Sequence, residues 1–153
     1  MKKYKAVIFD WDGTLMNSEK RIVSSIQYAA KVCGFPVLSH DVSKQIIGLS
    51  LENAILGLYP DANQHQIVAM SEAYTQFFLE ECSVEMEAFD GAEALLFNLS
   101  QSGAKLAVAT GKSRKGLDRV LSECGLGVYF DMTRTPMESA SKPDPLMLAQ
   151  ILE

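Results

Sequence analysis

The sequence predicts an α/β protein built on a parallel sheet, and three observations carry that prediction. Two short, mostly apolar runs, residues 4–9 and Lys105–Ala109, each end abruptly in a polar loop containing glycine, as buried parallel strands do. Apolar residues at helical spacing follow each run. A third strand is expected over residues 128–133, so the order is strand, helix, strand, helix, strand, that of a sheet with right-handed crossovers.

The first run opens into Asp10-Trp11-Asp12-Gly13-Thr14. From Ser18 the period changes, and Ile22, Ile26, Ala29, Ala30 and Cys33 share one face of a helix that Gly34 and Pro36 terminate. Three more helices are predicted before any further strand, over 40–47, 51–58 and 64–82. Pro60 closes the second; Ile67, Met70, Tyr74, Phe77 and Phe78 stripe the third. Asp90-Gly91-Ala92-Glu93 has the spacing of a capping box and starts a helix through Leu95, Leu96 and Leu99 that ends near Gly103. After the second strand, Leu117, Val120, Leu121 and Cys124 mark a helix, and Gly125 and Gly127 lead into the third strand. Ser141-Lys142-Pro143-Asp144-Pro145 opens a last helix, either later proline suiting its first turn. The chain thus divides into a parallel-sheet core, residues 1–16 and 88–153, and a helical insertion, residues 17–87.

Composition excludes several classes. The 153 residues, 48% hydrophobic and 22% charged, suffice to bury a core. Fourteen Lys+Arg against nineteen Asp+Glu leave a net charge of -5, the wrong sign for gripping nucleic acid through its phosphates. Met1, Lys2, Lys3 and Lys5 look like the basic start of a signal peptide, but the apolar run behind them stops at Asp10. No stretch approaches the roughly 18 apolar residues that cross a bilayer. Cys33, Cys82 and Cys124 are odd in number, widely spaced and set among apolar neighbours, as buried thiols in a reducing compartment are. A soluble cytoplasmic protein, without nucleic-acid or membrane partners, is expected.

In open α/β sheets chemistry gathers at the carboxyl ends of the strands. Asp10 and Asp12 lie just past the first strand and Thr110 just past the second, so the topology should bring them together. An Asp-x-Asp pair alone reads equally as a polar loop or helix cap. Here the strand holds both carboxylates, Gly13 permits close backbone approach to a ligand, and Thr14 adds a hydroxyl. Two carboxylates about 4 Å apart repel by roughly 4 kcal/mol at an effective dielectric near 20, which a divalent cation or a shared proton relieves. Thr110 also reads as a strand-end hydroxyl bonded to backbone, and Lys142 as a surface lysine. Lys112, Arg114 and Lys115 read as a solvated helix start that adds positive potential. His40 and His65 lack metal-ligand spacing, and Gly48, Leu49 and Ser50 fit an inter-helix turn as well as a substrate contact.

Val7-Ile8-Phe9-Asp10-Trp11-Asp12-Gly13-Thr14-Leu15 resembles the first motif of the haloacid dehalogenase superfamily in its phosphatase form. Val108-Ala109-Thr110-Gly111-Lys112 resembles the second motif and Ser141-Lys142-Pro143-Asp144-Pro145 the third, in the family's order, with its helical cap between the first two. Ile47-Gly48-Leu49-Ser50-Leu51 is similar to the cap loop of phosphoglycolate-phosphatase-like and β-phosphoglucomutase-like members. The resemblance implies a Rossmann-like core and hydrolysis of small phosphorylated metabolites. It assigns Asp10 as the nucleophile that becomes an aspartyl phosphate, and Asp12 as the acid and base. Thr110 and the Gly111 amide would hold phosphoryl oxygens, and Lys142 would balance their charge. Mg²⁺ would sit between the Asp10 carboxylate, the Asp12 carbonyl and the substrate phosphate, with Gly48, Leu49 and Ser50 above. Two other readings stay open: a sugar-phosphate mutase, and a non-catalytic phosphate-binding or regulatory fragment.

The sequence departs from the family pattern in two places. Members continue past the third-motif lysine through a helix into a strand bearing acidic residues that complete the Mg²⁺ site. Here eleven residues follow Lys142, about one helix, and the fourth motif is absent. Asn17 stands where many relatives have a second aspartate. The first strand is therefore expected at an exposed edge, inviting homodimerisation, and the 153-residue chain is expected to turn over weakly or not at all.

Overall fold

In the computed structural model, which describes residues 4–153, β1 (Ala6–Phe9), β4 (Lys105–Ala109) and β5 (Met132–Arg134) form a parallel sheet in the order β1-β4-β5. Met1, Lys2 and Lys3 of the basic start lie outside the described residues. Register pairs Phe9 with Val108 and Ala109 with Arg134, so the three strand ends finish side by side. β4 is buried from Leu106 onward, as a central strand requires, whereas β1 is half-buried and pairs with β4 alone among the described residues. The first strand begins at Ala6, two residues later than its apolar run.

The third strand also differs from expectation. Residues Leu126–Tyr129 form a 3₁₀ turn, and β5 starts only at Met132. Leu126 is buried beside Leu96 and Leu117, which holds the chain in a tight turn under the sheet. The Asp131 carboxylate then accepts from the Leu106 amide at 2.9 Å and its amide donates back to the Leu106 carbonyl at 2.8 Å, opening the ladder.

Between β1 and β4 lie α1 (Glu19–Val32), α2 (His40–Ser43), α3 (Leu51–Leu58) and α4 (Gln64–Gln76). The helix expected over 40–47 is one α turn followed by a 3₁₀ turn, Lys44–Ile46. The one expected over 64–82 changes at Phe77 into a wider π-helical turn, Phe77–Glu81, which leaves Phe78 buried. A reciprocal capping box forms at Asn63 and Gln66, with both bonds at 2.9 Å. None forms at 90–93. There the Glu93 carboxylate instead accepts from the Tyr129 hydroxyl, and α5 (Ala92–Gln101) starts behind Gly91 with no side-chain cap. β2 (Met16–Asn17) and β3 (Glu87–Ala88) pair antiparallel where the chain enters and leaves the helical segment. α6 (Arg114–Cys124) follows β4, and α7 (Leu146–Leu152) starts behind Pro145, which takes the N-cap position.

Burial separates into clusters. Trp11, Leu15, Leu96, Leu106, Leu117 and Leu126 pack around the sheet, each such side chain contributing about 1.5–3 kcal/mol. Ile26, Ala29, Ile55, Ile67 and Met70 pack within the helical segment. Ile22, Ile46, Ala54 and Phe78 form a third cluster that faces the strand ends. Cys33, Cys82 and Cys124 are free and half-buried rather than buried, because each lies at or just past the end of a helical segment. Among the described residues no helix is long and apolar enough to cross a membrane.

Candidate active site

The loop after β1 is organised by Trp11. Its indole is fully buried, edge-on to Phe130 at 6.3 Å, and its carbonyl collects the amides of Thr14, Leu15 and Met16 at 3.1, 3.0 and 3.2 Å. The aspartates flanking this fixed point have different surroundings. Asp10 Oδ1 accepts from the Trp11 amide at 2.7 Å and lies 3.1 Å from Lys142 Nζ. Its Oδ2 faces the cap at Gly48, where an added Cβ would sit 3.7 Å away; φ there is 99°, a backbone conformation that glycine adopts without strain. Asp12 Oδ1 accepts from the Ser18 hydroxyl at 2.7 Å, and Oδ2 lies 3.6 Å from Lys112 Nζ.

Lys112 contradicts the expectation of a solvated helix start. Its side chain is only 8% exposed, and its ammonium lies 4.2 Å from the centre of the Phe78 ring. Burial pulls its pKa down from the usual lysine value, and the Asp12 carboxylate opposes that shift. Phe78 covers the lysine because the π-helical turn aims it at the core, and Tyr74 stacks behind it at 5.7 Å. Burial, reinforced by the Asp12 carboxylate, pushes the Tyr74 phenol above its usual range, so it stays neutral. Arg114, by contrast, anchors the loop after β5: it bonds the Thr133 hydroxyl at 2.6 Å and the Glu138 carboxylate.

Thr110 is buried, its amide donating to the Arg134 carbonyl at 3.1 Å and its hydroxyl accepting from the Lys112 amide at 3.0 Å. This is the backbone-bonded role that a strand-end threonine commonly takes. The Gly111 amide has no acceptor among the described residues. A Cβ on Gly111 would fall 2.5 Å from the Leu49 carbonyl carbon and oxygen, so the cap loop rests directly on this glycine. Lys142 arrives on the loop before α7; earlier in that loop the Glu138 carboxylate accepts from the Thr135 amide at 3.1 Å and the Thr135 hydroxyl at 2.7 Å.

The structure thus gathers Asp10, Asp12, Thr110, Gly111, Lys142, Gly48 and Leu49 at one end of the sheet. Ser50 is turned away: buried, it accepts from the Asn53 amide at 3.3 Å and caps α3. Ser18, Tyr74 and Phe78 join the site without having been singled out for it, and Lys112, expected only to add positive potential from a solvated helix start, joins it buried. For Ser18, a hydroxyl six residues past Asp12 at a helix start was the available signal. Among the described residues no three His, Cys, Asp or Glu side chains cluster as a metal cage. The oxygens present suit Mg²⁺, which takes one or two carboxylates and keeps its waters. Asp10 Oδ2 has no hydrogen-bond or ion-pair partner among the described residues, and the Asp12 carbonyl receives no backbone donor among them.

A parallel sheet with a helical cap over an Asp-x-Asp loop defines a cap-bearing α/β hydrolase class. This chain belongs to the haloacid dehalogenase-like hydrolases, whose family model matches residues 7–153. It is 35% identical over 152 residues to the tyrosine-protein kinase PtkA of Mycobacterium tuberculosis, covering 95% of this chain and 50% of that protein. It is 26% identical over 161 residues to the phosphoglycolate phosphatase of Vibrio cholerae, covering 100% and 71%. The chain therefore spans about half the length of PtkA. Among solved structures, a hydrolase from Pseudomonas syringae superposes with a TM-score of 0.85 at 25% identity, covering 96% of this chain and 68% of that one. PtkA itself superposes at 0.71 with 30% identity, covering 88% and 61%.

Proposed function

We propose that this chain carries the nucleophile and cap of a Mg²⁺-dependent phosphatase of small phosphorylated metabolites. The carrying observation is the Asp10 carboxylate, fixed at the end of β1 with Lys142 at 3.1 Å on one oxygen and the other facing the cap loop. The relatives' names, a phosphoglycolate phosphatase and a tyrosine-protein kinase, share phosphoryl chemistry and support the reading.

In the first step an Asp10 oxygen attacks phosphorus and the ester P–O bond breaks, with Asp12 giving its proton to the leaving oxygen. In the second, water attacks the aspartyl phosphate, Asp12 takes a proton from that water, and inorganic phosphate leaves as the Asp10 carboxylate is restored. Lys142 and the Gly111 amide would hold phosphoryl oxygens throughout. Mg²⁺, held by Asp10 and the Asp12 carbonyl, would neutralise phosphate charge when bound. Such metabolites are cytoplasmic, and this reading places the protein there. It also keeps the unpaired edge of β1 as the surface through which two copies would pair, and a monomer at all concentrations in sedimentation would remove that part.

The test is phosphate release from a generic phosphomonoester with Mg²⁺, together with trapping of a hydroxylamine-labile phosphoenzyme. Both signals should vanish in Asp10→Asn. Turnover that survives this substitution would overturn the mechanism, and binding of a phosphate analogue without turnover would favour the non-catalytic reading.

A further inference from the structure

The cavity between cap and strand ends, about 70 Å³ in volume, has two unlike walls. On the strand side lie Asp12, Thr110 and Lys112, whose polar atoms are already engaged with Ser18, with backbone and with one another. On the cap side lie Ile22, Ile46, Ile47, Leu49, Ala54 and Phe78. Among the described residues no charged side chain lines the cap wall, whose polar side-chain atoms are the hydroxyls of Tyr74 and Thr75. Phe78 is held in place from both sides, by Tyr74 stacked at 5.7 Å and by the Lys112 ammonium at 4.2 Å.

Such a wall removes hydrocarbon from water favourably and offers an entering hydroxyl only the Tyr74 and Thr75 hydroxyls as partners. A carboxylate would meet one cation there, Lys112, which Asp12 already neutralises. The volume is about half that of a cavity that holds benzene, roughly 150 Å³, so the group that fits is short. We propose that the preferred substrates are phosphate monoesters of short apolar alcohols, in preference to polyol or carboxylated phosphates. The proposal rests on the phosphatase reading and adds the chemistry of the leaving group.

The closing experiment compares n-propyl phosphate with sn-glycerol 3-phosphate, which share the phosphate and three carbons and differ by two hydroxyls. With Mg²⁺ present, kcat/KM should favour the propyl ester by about tenfold or more. Calorimetric binding to Asp10→Asn, which cannot form the covalent intermediate, should favour it in the same direction. Ile46→Thr, which sets a hydroxyl in the cap wall, should narrow the ratio by about threefold, with its unfolding midpoint followed in parallel. Hydrolysis of both esters with equal efficiency, or with glycerol 3-phosphate ahead, overturns the substrate class and leaves the phosphatase reading standing. A propyl preference in binding without turnover of either ester supports the class and overturns the phosphatase reading. Neither turnover nor binding overturns both.

Discussion

The two walls of this cavity are built by different physics. The strand side is held by hydrogen bonds and charge pairs: Asp10 on the Trp11 amide, Thr110 on the Lys112 amide, and Asp12 on the Ser18 hydroxyl and the Lys112 ammonium. The cap side is held by packing, with Ile46, Ala54 and Phe78 sharing one apolar cluster. Groups positioned by backbone ladders keep their geometry whatever the ligand, whereas a packed apolar wall sets shape and excludes water. Chemistry on one side and selection on the other is the division that substitutions should expose.

The largest effect is expected on the strand side. Asp10→Asn should take phosphate release down to background while the unfolding free energy barely moves, because one half-exposed carboxylate is exchanged for its amide. Next is Gly111→Ala, where the cap loop rests on the strand side. The new Cβ would meet Leu49 backbone at 2.5 Å, and backbone cannot swing aside as a side chain would. Lifting the cap loop should destabilise the protein by about 2–3 kcal/mol in urea unfolding and reduce kcat/KM in parallel. Gly57→Ala, inside α3 with 3.9 Å to its nearest neighbour, should instead stabilise by about 0.5–1 kcal/mol. Equal effects of the two substitutions would mean that the cap loop does not rest on Gly111 in solution.

Lys112→Met probes the contact that crosses between the walls. The methionine keeps the apolar stem under Phe78 and removes the charge beside Asp12, leaving that carboxylate with Ser18 alone. A loss of about tenfold in kcat/KM is expected, falling on kcat because the acid and base are mispositioned rather than the phosphate unbound. An effect confined to KM would show that Lys112 holds substrate rather than Asp12.

Lys112 also marks where the sequence stops being readable. Strand ends, their order and the aspartate loop were legible because a switch from apolar run to polar loop and a change of period are local signals, and β1, β4 and α6 follow them closely. A lysine carries no mark of what will cover it, and Phe78 reaches it only through a π-helical turn that interrupts a continuous helical stripe. β2 and β3 are two residues each, too short for any period to show. The capping box expected at 90–93 lost its Glu93 to a tyrosine 36 residues away, a competition that exists only in the folded chain. The β5 boundary moved because Leu126 is drawn into the core and Asp131 supplies a ladder bond from its side chain.

The smallest expected effect concerns Glu138, where the loop carrying Lys142 meets the start of α6. Partial burial pushes its carboxyl up, but hydrogen bonds from Arg114 and from Thr135 outweigh that and hold its pKa below the ordinary 4.5. A carboxyl lowered on folding contributes stability above its unfolded value, and that contribution is lost as pH falls through the folded value. Because Glu138 is well exposed to solvent, screening reduces the contribution to about 0.5 kcal/mol. Glu138→Gln should therefore be less stable than the parent by about that amount at neutral pH, and the gap should close on acidification below the ordinary carboxylate range. A gap independent of pH in urea unfolding would assign the loop's order to its neutral hydrogen bonds instead. Since this loop delivers Lys142 to Asp10 and touches no part of the cap wall, the same substitution should raise KM for both three-carbon esters alike and leave their ratio unchanged.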